Sequence, residues 1–254
     1  FAMPFYWMIA TSLKSDRQVF AWPLVWFPDP LVWQNYPDAI PFFPFWLYLR
    51  NTVFIAGTCV IGAVLSNSLV AYSLACIPWR GRNVLFMMAV GTLMIPYQVV
   101  MVPLFITFSK FGWVGTWLPL IVPSFFASAF FVFLLRQFFR TIPNDLIDAG
   151  KIDGASHPRI YAQIVLPLAK SALFTVGLFQ FLNSWGDFTG PLIYLSDSKM
   201  YTISLGLQFF RLQHETMWQK LMAASVMLTG PIIILFFLTQ RTFIQGITMT
   251  GIKG

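Results

Sequence analysis

The side chains best suited to chemistry in this chain are few and lie in two places. One is a polar cluster, Gln180, Asn183, Ser184, Trp185 and Asp187, inside an otherwise apolar run. A charged side chain at bilayer depth costs about 3 kcal/mol on insertion scales, so an acid there is expected to face a cavity or a partner. The other is Pro143-Asn144-Asp145-Leu146-Ile147-Asp148-Ala149-Gly150-Lys151-Ile152-Asp153-Gly154-Ala155-Ser156-His157-Pro158, the longest polar interruption in the second half of the chain. Its carboxylates and turn residues suit it to be gripped by a partner. No His-Glu or Ser-His constellation accompanies either place, which argues against a membrane enzyme. The chain also lacks a Gly-x-x-x-x-Gly-Lys-Ser/Thr phosphate loop, so energy from ATP would have to come through another chain.

The elements that must hold these residues are membrane spans. Hydrophobic residues make up 57% of the chain and charged residues 10%, with a mean hydropathy of +0.71. A soluble domain carries roughly a quarter charged residues, so the composition indicates an integral membrane protein of the all-α class. The net charge of +7 is spread over the ends of apolar runs, which fits membrane topology better than nucleic-acid binding. Cys59 and Cys76 lie seventeen residues apart in one run, about 25 Å along a helix, beyond disulfide reach. Neither His157 nor His214 has partners at ligand spacing, so no metal site is expected.

The apolar runs predict spans at 49–77, 84–108, 117–139, 165–195 and 221–240, in a single domain covering 1–254. A first run within 1–13 is shorter than the roughly twenty residues a crossing needs; either a signal sequence was removed or, as expected here, this is the end of a truncated first span, the first of six. Between Lys14 and Trp46, six prolines and several Trp and Tyr residues preclude a long helix and suit the membrane interface. Arg80 and Arg82 mark one short turn as cytoplasmic, and Arg136 and Arg140 put the 141–160 loop on the same side. Nine basic residues then lie on that side and seven on the other, a small margin. Gln98, between Pro96 and Pro103, is expected either to line a pathway or to make an interhelical hydrogen bond.

Within the polar loop the residues spell two short helices meeting at an elbow. Asn144 is placed to cap the first, Gly154 is free to adopt positive φ, and Ser156 with Pro158 behind it can open the second. From Asp148 the run reads Asp-Ala-Gly, three residues, Gly154, nine residues, Ile164, one residue, Leu166-Pro167. This resembles the EAA motif of the membrane-spanning permease subunits of bacterial ABC importers, and the flanking Lys151 to Ser156 and Val165 to Leu168 resemble its carbohydrate branch. Asp148 stands where the motif has Glu, and Gly150 where it has a second Ala, a change worth about 1 kcal/mol of helix propensity. Asn35-Tyr36, Trp185-Gly186-Asp187-Phe188 and the tail from Gln240 to Gly254 extend the resemblance over nearly the whole chain.

The resemblance implies a type I ABC importer permease fold whose cytoplasmic coupling helix carries Asp148, Ala149, Gly150, Asp153, Gly154 and Ala155. It implies one half of an ATP-driven pathway for a sugar or sugar-like solute in a bacterial inner membrane. The partners would be a second permease, two ATPase subunits that bind ATP and Mg, and an external binding protein. This chain would hold no cofactor and would not be an enzyme. Lys253 and Gly254 would reach toward the ATPases. Gln98, Gln180, Asn183, Trp185 and Asp187 would line the pathway, with Trp185 stacking on a sugar and Asn183 and Asp187 bonding hydroxyls. The same cluster also reads as helix packing, with Asp187 satisfied near the outer end of its span. The competing function is a self-sufficient secondary transporter or channel, for which paired intramembrane charges or matching broken helices are expected. The sequence shows one intramembrane acid and no such symmetry.

Overall fold

The structure is a computed structural model that describes residues 3–212 and 217–248. Among these the chain is helical, with no strand. The principal helices are α1 (Met3–Ser12), α2 (Phe45–Cys76), α3 (Arg82–Gly91), α4 (Tyr97–Lys110), α5 (Ala129–Phe139), α6 (Asn144–Ile152), α7 (Lys170–Gly186) and α8 (Trp218–Thr248). Three helical segments, Phe45–Cys76, Leu118–Phe139 and Trp218–Phe237, are each long and apolar enough to cross a membrane. Two bent pairs raise that number to five if each pair is one span. Backbone polar groups cannot go unpaired in hydrocarbon, which is why the long apolar runs become helices.

The runs expected as spans at 84–108 and 165–195 are both bent. Arg82–Met94 meets Tyr97–Lys110 at 101°. Pro96 forces the residue before it out of the helical region, and Ile95 is accordingly extended, at φ −85° and ψ 115°. Pro103, by contrast, stays inside α4. His157–Leu168 meets α7 at 81°, with Ala169 between them off the helical geometry, at φ −98° and ψ 14°. From the sequence, the rise to Pro167 is expected to start as a helix lying along the membrane surface, with Tyr161 and Ile164 on its buried side, before the chain turns inward; the bend after Pro167 fits that turn. α7 then ends at Gly186, and a separate short helix, Thr189–Tyr194, follows.

The chain forms two compact units, residues 1–54 with 185–238, and 55–184 with 239–254. The first unit has a core of Ala39, Phe43, Tyr48, Ile203, Phe210 and Ala223, among others. Gly206 lies so close under Tyr48 and Phe43 that a Cβ would sit 2.7 Å and 3.0 Å from their rings. The segment before Lys220, mostly polar by composition, thus buries Ile203, Leu205 and Phe210. Asn51 donates to the carbonyls of Lys199 and Tyr201, at 2.9 Å and 3.0 Å, and Thr52 Oγ1 accepts from Ile203 N at 2.9 Å. These bonds pin the segment to α2. The proline-rich loop is held by Asn35, whose Nδ2 donates to the carbonyls of Ser12 and Lys14, and by Tyr36, whose hydroxyl lies 2.9 Å from Ser12 Oγ.

Lys14, just past the end of α1, is fully buried with its Nζ 3.8 Å from the centre of the Trp7 ring and without a hydrogen-bond partner among the described residues. Burial disfavours the ammonium and lowers its pKa from the ordinary 10.5. Below the folded-state pKa the group is charged in both states, and folding bears the burial cost. As pH rises toward the unfolded value, the folded chain has released a proton that the unfolded chain still holds, so stability rises. Lys14→Met is therefore expected to raise the thermal midpoint at neutral pH, with an advantage that shrinks as pH climbs to about 10. Melting curves of both proteins across that range check it.

The second unit is built around α2, α5, α6 and α7, with Tyr72, Leu135, Phe139, Ile147, Ile160, Val165 and Val176 in one core. Its least regular part is the break in Leu118–Phe139, where Phe126 turns extended and Ser128 starts α5. Asn67, 1% exposed, spans that break. Its Oδ1 accepts from Ser128 N at 2.7 Å while its Nδ2 donates to Ala63 O at 2.7 Å. Gly62 gives the room, since a Cβ there would fall 2.7 Å from the Phe125 ring. Asn67→Leu leaves the Ser128 N–H unpaired and is expected to cost roughly 1–3 kcal/mol. A lowered midpoint for heat-induced loss of the monodisperse species in detergent checks this.

Candidate functional site

The polar loop folds as an elbow. α6 begins after Pro143, whose φ of −58° and extended ψ of 130° supply the non-helical entry. The N-cap thus falls on Pro143, and Asn144 is the first residue inside the helix; it does not cap it, as the sequence had suggested. Asp145 in the first turn and Lys151 in the last complement the helix dipole. The C-terminus closes in a Schellman motif. Ala155 N donates to Gly150 O at 2.9 Å and Gly154 N to Lys151 O at 3.0 Å. This motif requires a left-handed residue, and Gly154 takes it at φ +76°. Ser156, extended at ψ 159°, then opens the helical run that starts at His157.

One face of the elbow is locked to the core and the other is open. Ile147 is 3% exposed, and Gly150 is buried so tightly that a Cβ would lie 2.9 Å from Ile164 Cδ1 and 3.3 Å from Ile160 Cγ1. The departure from Ala at this position thus lets the two isoleucines close on α6, a packing gain set against the lost helix propensity. The run after the elbow is tied to α2 by hydrogen bonds. Tyr72 Oη lies 3.1 Å from His157 Nδ1 and donates to His157 O at 3.3 Å, while Ser68 Oγ lies 2.7 Å from Tyr161 Oη. Tyr161 and Ile164 are partly buried against the core, as expected for the inner side of a surface-lying run.

The open face carries Asp148, Ala149, Lys151, Ile152, Asp153 and Gly154, all exposed. Asp148 and Lys151 pair at 2.8 Å, an exposed contact that adds little to stability. Ile152 is 86% exposed and Leu146 43% exposed. Both belong to the part of α6 that its packing against the core leaves uncovered. Sequence reasoning missed these two residues because it followed the positions of the motif, and neither is one of them. The signal available was their position, since Ile147 already faces the core and Ile152, five residues on, points elsewhere around the helix. Of the residues expected to form the coupling surface, Gly150 alone is buried and Ala155 is half-buried.

The polar cluster along α7 divides in its roles. Gln180, Asn183 and Ser184 recur at the spacing of one helix face, Gln180 Nε2 donating to Ser184 Oγ at 2.9 Å, with Asn183 exposed. Trp185 is 3% exposed, and its indole N–H donates to Leu228 O at 3.0 Å, so its ring packs within its unit. Asp187 accepts from Gly190 N at 3.0 Å, and its own carbonyl accepts from Ser204 Oγ at 2.6 Å. Its carboxylate therefore caps the short helix that follows. Gln98 is exposed in the first turn of α4 beside the 101° bend, and it makes no hydrogen bond among the described residues. Lys253 and Gly254 lie outside the described residues.

Comparison with known proteins places the chain in a family. Residues 67–248 match the family model described as binding-protein-dependent transport system inner membrane component. The chain is 37% identical to an arabinooligosaccharides transport system permease protein of Halalkalibacterium halodurans, over 83% of this chain and 75% of that one. It is 32% identical to a trehalose/maltose transport system permease protein of Thermococcus litoralis, over 99% of this chain and 91% of that one. In fold it is similar to a chain from the crystal structure of a bacterial ABC transporter involved in the import of the acidic polysaccharide alginate. That likeness has a TM-score of 0.85 at 22% identity and covers 95% of this chain and 90% of the other. A multi-pass helical protein with an elbow of this motif, matched by that family over most of its length, belongs to the binding-protein-dependent inner-membrane components and is a permease of the carbohydrate ABC importer type.

Proposed function

We propose that the chain forms one half of the translocation pathway of an ATP-driven importer for a sugar or sugar-like solute in a bacterial inner membrane. Its partners are a second permease, two ATPase subunits in which ATP and Mg bind, and an external binding protein that delivers the solute. The observation that carries the coupling role is the two-faced elbow. A Schellman-closed helix is fixed by Ile147 and Gly150 on one side and presents Ile152, Leu146 and a ring of charges on the other.

Closure of the ATPases pushes on the open face. Because α6 is packed against Ile160 and Ile164, and His157 and Tyr161 are bonded to Tyr72 and Ser68 of α2, displacement of the elbow loads the spans directly. Gln98, Gln180 and Asn183 serve the solute path, while Trp185 and Asp187 hold their helices. Sugar-specific permease relatives support the solute class.

The test is affinity purification of the tagged chain from gently solubilised native membranes, with co-purifying proteins identified by mass spectrometry. An ATPase, a second permease and a binding protein are the expected companions. Recovery of the chain by itself, still competent for uptake without ATP, would return the secondary-transporter reading.

A further inference from the structure

A cavity of about 360 Å³ opens beside the end of α2, within the second unit, and three guanidiniums line it. Arg82 and Asn83 come from the first turn of α3, Arg136 from the last turn of α5 and Arg140 from just past it, with Leu74, Phe86 and Met87 among the apolar wall residues. No carboxylate lines it, and none of the three arginines is in an ion pair among the described residues. Arg136 is the fixed member. It is 6% exposed, lies 3.9 Å from the centre of the Phe86 ring, and donates to Leu74 O at 3.3 Å and to Asn83 Oδ1 at 2.8 Å. Arg82 uses one N–H on Ile77 O at 2.9 Å, and Arg140 is exposed with no hydrogen bond among the described residues. The first turn of α3, entered through Gly81 without a side-chain cap, adds the positive end of a ten-residue helix. Like charges gathered this way without a counter-charge call for an anion with several acceptor oxygens.

The surroundings say which anion. Val84, Leu85, Met87 and Met88 on α3 are 54% to 72% exposed, an aliphatic strip that starts at the cavity and runs away from it. Trp79, 37% exposed, sits in the same turn, as tryptophans do at headgroup depth. The elbow lies at this end of α2 as well, since Tyr72 bonds His157 while Ile77 bonds Arg82. Basic pockets between spans on the cytoplasmic side take lipid phosphates. We infer that this cavity binds the phosphate of an anionic phospholipid, the acyl chains lying along the exposed aliphatic strip of α3. The cytoplasmic placement of the cavity rests on the proposed position of the elbow, while lipid binding does not require the elbow to couple.

The test uses the full chain purified in detergent and exposed to phosphatidylglycerol or phosphatidylcholine, with bound lipid counted by native mass spectrometry. Each cytoplasmic-side arginine near the surface contributes about fivefold in affinity, so the R82Q/R140Q double variant is expected to bind phosphatidylglycerol roughly 25-fold more weakly. Arg136 stays, because it ties α5 to α2 and α3. The expected pattern is phosphatidylglycerol retained over phosphatidylcholine, lost in the double variant and not displaced by millimolar inorganic phosphate. Should the double variant misfold, R82K/R140K keeps the charge and is expected to retain the lipid. Equal retention of both lipids, equal retention by the parent and the glutamine variant, loss of lipid from a folded lysine variant, or displacement by inorganic phosphate would each overturn the assignment.

Discussion

Ile152→Asp is expected to lower ATP-driven uptake thirtyfold or more while the protein still inserts and folds. Ile152 is 86% exposed and makes no core contact, so its replacement costs the fold nearly nothing. In a partner's pocket the same change removes an apolar anchor and buries a charge without a counterpart. Anchors of this kind carry 2 kcal/mol or more, about thirtyfold in the binding constant. The checks are uptake in proteoliposomes and the amount of ATPase that co-purifies, both of which fall together. Ile152→Leu, which keeps the apolar bulk, is expected to retain most of both.

Gly154→Glu carries the second large effect. Its Cβ would meet nothing within 4 Å, so the change is not steric. The cost is conformational, about 1–2 kcal/mol for a side chain in the left-handed region, and it falls on the motif that stops α6 and aims its open face. The added carboxylate also stands on that face, near Asp148 and Asp153. Uptake is expected to fall at least tenfold with membrane insertion intact. Gly154→Asn separates the two causes, because Asn tolerates positive φ and adds no charge; it is expected to keep a substantial share of uptake. Uptake equal to the parent's in Gly154→Glu would remove the coupling role from the elbow.

Much of this was legible from residue types. The elbow's positive-φ glycine, its Ser156 opening and the surface-lying run to Pro167 all follow from local chemistry, because turn and cap residues act over three or four positions. The long spans follow from apolar length. What local chemistry does not hold is tertiary packing. Gly150 reads as a weak helix residue, and only Ile160 and Ile164 closing over it explain its presence. Ile203, Leu205 and Phe210 sit in a segment polar on average, yet each is buried, since Asn51 and Thr52 on α2 fix the backbone that carries them. Pro96 and Pro103 look alike in sequence. One stands at the entry to α4 beside a 101° bend and the other lies within α4. Trp185 has the chemistry of a sugar platform, but Leu228 O holds its indole in the packing.

The central claim is that the open face of α6 seats on a separate ATPase. Ile152→Cys provides the most direct test, because the chain's two native cysteines, Cys59 and Cys76, are buried and leave the new thiol as the accessible one. A short bifunctional thiol reagent applied to native membranes, followed by mass spectrometry of the adduct, reads the neighbour of that position. An adduct with a nucleotide-binding subunit is expected, its yield changing when ATP is added and hydrolysis is blocked. An adduct yield indifferent to nucleotide, or none with any ATPase while uptake persists, would contradict the claim.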